Sequence, residues 1–228
     1  MDVAQSFALI YNVGVIAFLH FIQPCRPIPA KVVPAGEGWL HEAKFDGYRA
    51  QLHKVGSDVE IFSKQGQIFT SRFRTIADLL RAVPVKSVII DAEIVANNRA
   101  GFPDFFSLHT SSADPGAMNV WAFDLLMLNG RDLREQSLEK RKARLHELVE
   151  RFDCAGVLTS QTFADGQALL RAAEEHRLEG VVSKRRAAPY RSGPTRDWQK
   201  VKTQAWLERN RERWRLFEPR SRPRQVRE

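Results

Sequence analysis

The chain has 228 residues, 43% hydrophobic and 27% charged, with 14 Phe and 5 Trp, a composition that builds a core and excludes a disordered or fibrous protein. Lys and Arg number 35 against 27 Asp and Glu, and the resulting net charge of +8 points to a polyanionic partner. Two cysteines, Cys25 and Cys154, stand without CxxC spacing, which excludes a disulfide scaffold and a cysteine-based zinc site and fits a cytoplasmic setting.

Residues 7–22 are largely apolar and contain no Lys or Arg. They lack the basic start of a signal peptide, and the run, interrupted by Asn12 and His20, falls short of the ~20 apolar residues a spanning helix needs. The segment reads as a buried or partner-facing extension, and no membrane is expected. Pro24, Pro27, Pro29 and Pro34 mark residues 24–38 as an extended lead-in. From Trp39 to Lys64, alternation at Tyr48, Ala50 and Leu52, then Val59 and Ile61, predicts an antiparallel hairpin turning at Gly56-Ser57. Phe73, Ile76, Leu79 and Leu80 have helical spacing within 72–83, and Pro84 ends the helix. A buried strand is expected over 86–96 and a turn over 97–101. A second buried strand over 118–128 ends at the turn signal Asn129-Gly130. Ser137 is the expected N-cap of a helix reaching Phe152, and Asp165 to Arg177 form another amphipathic helix. Strands over 178–184 and 197–202 follow, joined by a basic loop. Strands and helices do not alternate as βαβ units, so the expected class is α+β on antiparallel sheets flanked by helices.

Five short segments carry chemistry. In Glu42-Ala43-Lys44-Phe45-Asp46-Gly47-Tyr48-Arg49 a lysine lies between strand runs beside a glycine that permits close backbone approach. A lysine becomes a nucleophile when neighbouring cations and desolvation lower its pKa, although one at a strand end is ordinarily a solvated charge. Asp91 and Glu93, two apart in an apolar strand, project from one face as a salt bridge or as a metal or ribose contact. Phe123 is by default a core residue, with purine stacking as the alternative. Leu178 to Lys184 joins a carboxylate, Glu179, to a lysine at the strand end. Lys200 and Lys202 share one face and suit a phosphate, or else protect an exposed edge strand.

The ordered set resembles the nucleotidyltransferase motifs of ATP-dependent DNA ligases, a superfamily that includes RNA ligases and capping enzymes. Lys44, Asp46, Gly47 and Arg49 match K-x-D-G-x-R, and the wording WLHEAKFDGYR and EGVVSKR…PYRSG…RDWQKVK is similar to the ligase domain of bacterial end-joining DNA ligases. The likeness covers residues 21–202. It implies a ligase-type adenylation domain with the ATP site between its sheets, in which Lys44 attacks the α-phosphorus of ATP. Glu42 would hold the adenine edge, Arg49 the ribose or a nick phosphate, Glu93 the ribose or a metal, and Phe123 would stack on the purine. Glu179 would hold Mg2+ or Mn2+, and Lys200 and Lys202 would neutralise the α-phosphate. Lys64, Arg185, Arg186, Arg191 and Arg196 are the candidate DNA contacts, with nicked or broken double-stranded DNA as partner and a monomer as the expected state.

Departures from the family pattern are Ser63-Lys64-Gln65-Gly66 in place of Ser-Arg-Asn-Gly, and Ala92 in place of a glycine between the acidic pair. Neither removes a catalytic group. The family continues after its last lysine pair into an OB-fold domain, whereas residues 203–228 are too short for a five-stranded barrel and read as a basic helix followed by a disordered end. Sealing would then be weak, or would need a repair protein or a separate OB-type module. The alternatives are an RNA ligase or capping-type enzyme, and a truncated protein that binds ATP or nucleic acid without sealing. The charge excess is local: residues 184–202 hold seven Lys or Arg against Asp197, and residues 203–228 hold eight Arg against four Glu.

Overall fold

A computed structural model describes residues 20–97, 108, 118–152 and 156–217. Residues 1–19, and with them most of the apolar run 7–22, the expected turn at 97–101 apart from Asn97, and the end of the tail lie outside the described residues. The strands, in chain order, are β1 (Cys25–Pro29), β2 (Trp39–Lys44), β3 (Tyr48–Val55), β4 (Asp58–Ser63), β5 (Ser87–Ala96), β6 (Met118–Leu128), β7 (Arg131–Asp132), β8 (Val157–Thr159), β9 (Gly180–Arg185) and β10 (Gly193–Lys202). The helices are α1 (Arg74–Ala82), α2 (Leu138–Phe152), α3 (Gly166–Glu175) and α4 (Gln204–Phe217).

Two sheets result, one of four strands in the order β1-β10-β9-β2 and one of six, β4-β3-β5-β6-β7 with β8 pairing β6. This is the α+β class that the pattern predicts. Two pairings, β1 with β10 and β6 with β8, are parallel rather than antiparallel. The hairpin expected over 39–64 divides. Residues 48–63 form it as β3 and β4, while β2 leaves for the other sheet and pairs with β9. The break falls at Phe45–Gly47, where the chain crosses between sheets. Gly47 is required there: a Cβ would lie 2.2 Å from the carbonyl oxygen of Ile94. The proline-marked lead-in contains β1, whose Pro27 and Pro29 lack an N–H to donate and so suit the sheet edge where they lie.

The largest core fills the space between the six-stranded sheet and helices α1 and α2, with Leu52, Ile61, Ile94 and Leu125 from the strands and Ile76, Leu80 and Leu145 from the helices. Each such side chain contributes about 1.5–3 kcal/mol by leaving water. Lys54 of β3 donates to the carbonyls of Arg81 and Val83, which end α1 without helical partners. Asp165 caps α3 by accepting from the N–H groups of Gln167 and Ala168 at 2.9 Å. Asn129 and Gly130, with φ of 50° and 77°, make the β6–β7 turn that the Asn-Gly signal predicts.

One ion pair fixes α2 to β6. Arg141 and Asp124, both with fully buried side chains, make a two-pronged contact at 2.7 and 2.9 Å, and Arg141 also donates to the carbonyls of Gln136 and Ala188. Arg141→Met leaves a buried carboxylate without its cation, at a cost of about 3–5 kcal/mol. Urea denaturation should show that loss, and Asp124→Leu added to it should recover part. A double variant as unstable as the single one would contradict the ion-pair account.

Candidate active site

The two sheets leave a cleft of about 600 Å³ between them. From the four-stranded sheet it is lined by Arg26 to Pro29, Glu42, Lys44, Val182, Lys184, Trp198 and Lys200. From the six-stranded sheet come Tyr48, Arg49, Ser63, Glu93 and Phe123, with Lys64 and Gln65 beyond β4.

Lys44 ends β2 with its side chain 21% exposed, and its Nζ lies 2.7 Å from Glu179 Oε2. Glu179 immediately precedes β9, and its other oxygen lies 3.1 Å from Lys202 Nζ. One carboxylate therefore clasps two lysines from two strands. The clasp is set by register, since Lys44 and Lys202 are both paired with Gly180, where a Cβ would meet the Val201 carbonyl oxygen at 2.0 Å. Lys200 lines the cleft; Lys202, on the same strand face, turns to Glu179 and to the ring of Trp206, 3.5 Å away. The Lys200 ammonium is held below its ordinary pKa by burial and by the repulsion of Lys44, Lys202 and Lys64, which an incoming anion would relieve.

Glu42 is buried and meets Lys184 at 2.9 Å and Lys142 of α2 at 3.0 Å. Burial works to raise its pKa, and the two lysines override that and hold the carboxyl ionised. Oε2 faces Lys184 and Oε1 faces Lys142, so both oxygens are engaged by cations. Phe123 sits at a bulge, since Asp91 faces Asp124 and Ala92 faces Ala122, and so it is re-aimed into the cleft. Its ring meets Trp198 edge-on at 6.1 Å, with Arg49 and Lys184 over it at 5.3 and 4.5 Å.

The acidic pair divides its roles. Asp91 is fully buried and takes two bonds from Arg49, at 3.0 and 2.7 Å, and one from the Tyr190 hydroxyl at 2.6 Å. Arg49 is thus engaged within the protein while its side chain still lines the cleft. Glu93 reaches the cleft, and its carboxyl is pushed up to about 7 by burial, with Glu179 and Asp46 adding to the effect against Lys44 and Arg49. Among the described residues no three acidic, histidine or cysteine side chains gather as a metal site.

The candidate DNA contacts do not gather around the cleft. Lys64 is at its wall. Arg185 stacks over Trp39 at 4.4 Å, at the end of β9 opposite Gly180, and Arg186 and Arg191 bind Glu139 and Glu135. Arg196 lies exposed on β10. Lys142 and the edge strand β1 line or brace the site without having been singled out by sequence. Lys142 carries no signal beyond its place in a helix, whereas Trp198, part of the RDWQKVK wording, does line the cleft.

Two sheets with a cleft between them, and a half-buried lysine clasped by a carboxylate at a strand end, mark a domain of the nucleotidyltransferase class. Residues 22–202 match the ATP dependent DNA ligase domain, and the chain belongs to that family. It is 35% identical over 174 residues to the multifunctional non-homologous end joining protein LigD of Pseudomonas aeruginosa, covering 75% of this chain and 21% of that one. To a probable DNA ligase of Sorangium cellulosum it is 34% identical over 172 residues, 71% of this chain and 32% of the relative. The chain thus spans about a fifth to a third of the length of these relatives. In structure it matches the ligase domain of LigD from M. tuberculosis with a TM-score of 0.70 and 25% identity, over 78% of this chain and 60% of the other. A mycobacterial DNA ligase D complexed with ATP and MES gives a TM-score of 0.69 at 25% identity, over 84% and 62%.

The raised Glu93 carboxyl has a consequence for stability. The folded protein keeps that proton up to about pH 7, whereas the group ordinarily loses it near 4.5, so stability falls as pH rises through that window. Glu93→Gln, which cannot ionise, should raise the melting temperature at pH 8 more than at pH 4.5, measured without nucleotide and with chelator. An increment independent of pH would contradict the burial of an ionisable carboxyl there.

Proposed function

We propose that this chain forms a covalent lysyl-AMP with ATP and passes the AMP to the 5′-phosphate of a DNA break for strand joining in repair or recombination. The observation that carries the reading is the clasp of Glu179 on Lys44 at the cleft, with Lys202 on its second oxygen. Lys44 Nζ attacks the α-phosphorus, the bond to the bridging oxygen of the β-phosphate breaks, and pyrophosphate leaves with its electron pair. The new P–N bond is a phosphoramidate, and the proton lost by Nζ has Glu179 at 2.7 Å as its first acceptor. A DNA 5′-phosphate oxygen then displaces Lys44 from the same phosphorus. A 3′-hydroxyl finally attacks the activated 5′-phosphorus and AMP departs.

The side chains favour these roles. Glu42, held ionised at the cleft wall, favours the exocyclic amine of adenine over the oxygen that guanine presents there. Phe123 stacks on the purine, Arg49 and Glu93 lie toward the ribose, and Lys200 and Lys202 meet the α-phosphate. A magnesium or manganese ion fits here, since such ions are held by one or two carboxylates together with substrate phosphates. Glu93, with its raised carboxyl, and Glu179 are the residues that would hold it. When bound it supplies charge neutralisation on the phosphates.

Incubation with α-labelled ATP and magnesium should give an acid-labile, base-stable adduct that GTP does not give and that Lys44→Ala loses entirely. Absence of an adduct with every nucleotide would overturn the reading; an adduct from GTP alone would favour a capping-type enzyme. Chase with nicked DNA and nicked RNA identifies the acceptor. For DNA contact, Lys64→Ala should lower the slope of log affinity against log salt by about 0.9, the counterion release of one phosphate contact. An unchanged slope would remove Lys64 from the DNA surface.

A further inference from the structure

We propose that Trp206 is a positioning residue of the adenylation site, holding Asp46 through its indole N–H and Lys202 through its ring face. The inference rests on the lysyl-AMP reading above.

Helix α4 starts beside the clasp because its first turn is tied down on three sides. The Thr203 N–H donates to the Glu179 carbonyl at 3.0 Å and its hydroxyl to the Leu178 carbonyl at 2.7 Å. Both oxygens of Glu174, near the end of α3, accept from the N–H groups of Gln204 and Ala205 at 2.8 Å. A carboxylate at a helix N-terminus satisfies donors that have no helical partner and complements the positive end of the dipole. Buried Asn210, one turn on, donates to the Trp206 carbonyl at 3.0 Å. The helix start is therefore fixed before Trp206 makes any contact of its own.

That anchoring gives the Trp206 side chain two charged neighbours. Its Nε1–H donates to Asp46 Oδ2 at 3.1 Å, and Lys202 Nζ lies 3.5 Å from its ring centroid. The residue belongs to none of the apolar clusters of the described core. A closed circuit results: Lys44 to Glu179, Glu179 to Lys202, Lys202 to Trp206, Trp206 to Asp46, and Asp46 by two peptide bonds back to Lys44. Asp46 lies in the Phe45–Gly47 crossing that carries the chain from one sheet to the other and sets where Lys44 ends. The ring face keeps Lys202 beside Glu179 whether or not an anion competes for the ammonium. Trp206 itself touches no reacting atom, so its effect is on geometry.

Single-turnover formation of the lysyl-AMP, with ATP varied, tests this on the full chain. Trp206→Ala removes both contacts and should slow the step at saturating ATP on the order of ten-fold, with a smaller change in the ATP concentration for half-maximal rate. Trp206→Phe keeps a ring face and lacks the N–H, and should fall between the two, with its melting temperature close to that of the unchanged chain. If Trp206→Ala fails to fold, Trp206→Phe decides. A folded Trp206→Phe that reacts at the unchanged rate overturns the proposal, as does an Ala variant whose loss appears wholly in ATP affinity. An unchanged chain that forms no adduct overturns the lysyl-AMP reading and this inference with it, whereas an adduct insensitive to Trp206 overturns the inference alone.

Discussion

The two sheets are held against each other at a buried carboxylate. Asp91, on β5 of the six-stranded sheet, receives Arg49 from β3 and the hydroxyl of Tyr190, which leads into β10 of the other sheet. The Tyr190 oxygen in turn accepts the N–H of Cys25 at 3.0 Å, where β1 begins. Three strands and the approach to a fourth therefore converge on one side chain. Around it pack Ile89, Leu126, Trp198 and Cys25, the small apolar cluster that closes the cleft from behind. Burial and this cluster push the Cys25 thiol up to about 12, so it behaves as an inert apolar group. A buried ion pair adds little net stability over an apolar contact, but it tolerates no loss of one partner and fixes one docking geometry.

Once the sheets are held there, the cleft has a definite charge pattern. Lys44, Lys64, Lys184, Lys200, Arg26 and Arg49 face it against Glu42 and Glu93, an excess of cations that suits a triphosphate. Each carboxylate is matched to lysines: Glu42 holds Lys184 and Lys142, while Glu179 stands outside the cleft wall and restrains Lys44 and Lys202. The charge excess of the sequence is divided accordingly. Part of it lines the cleft, and Arg186 and Arg191 are already matched by surface carboxylates, where exposed pairs contribute little.

Much of this was legible in the sequence because it is local. Residues 118–128, the Asn129-Gly130 turn and the helix ended by Pro84 follow from periodicity and turn chemistry. Lys44, Glu93, Phe123, Glu179 and Lys200 were found by ordered motifs and do converge at or beside one cleft. What escaped is non-local. The run from Trp39 to Lys64 alternates as one hairpin, and only the clash of a Cβ at Gly47 with Ile94 marks the crossing between sheets. The bulge that aims Phe123 depends on register with β5, which one strand alone does not specify. Lys142 acts on Glu42, a hundred residues earlier, and Trp206 on Asp46, 160 residues earlier, and neither carries a pattern of its own.

The claim on which the rest depends is that Asp91 joins the sheets through both Arg49 and Tyr190. A double-mutant cycle of Asp91→Asn and Tyr190→Phe, measured by urea denaturation, tests it directly. The structure predicts a coupling free energy of about 1 kcal/mol or more between the two positions, because the hydroxyl and the carboxylate bond each other in a buried site. Additivity within about 0.3 kcal/mol would show that the sheets are held independently of this contact and would contradict the account.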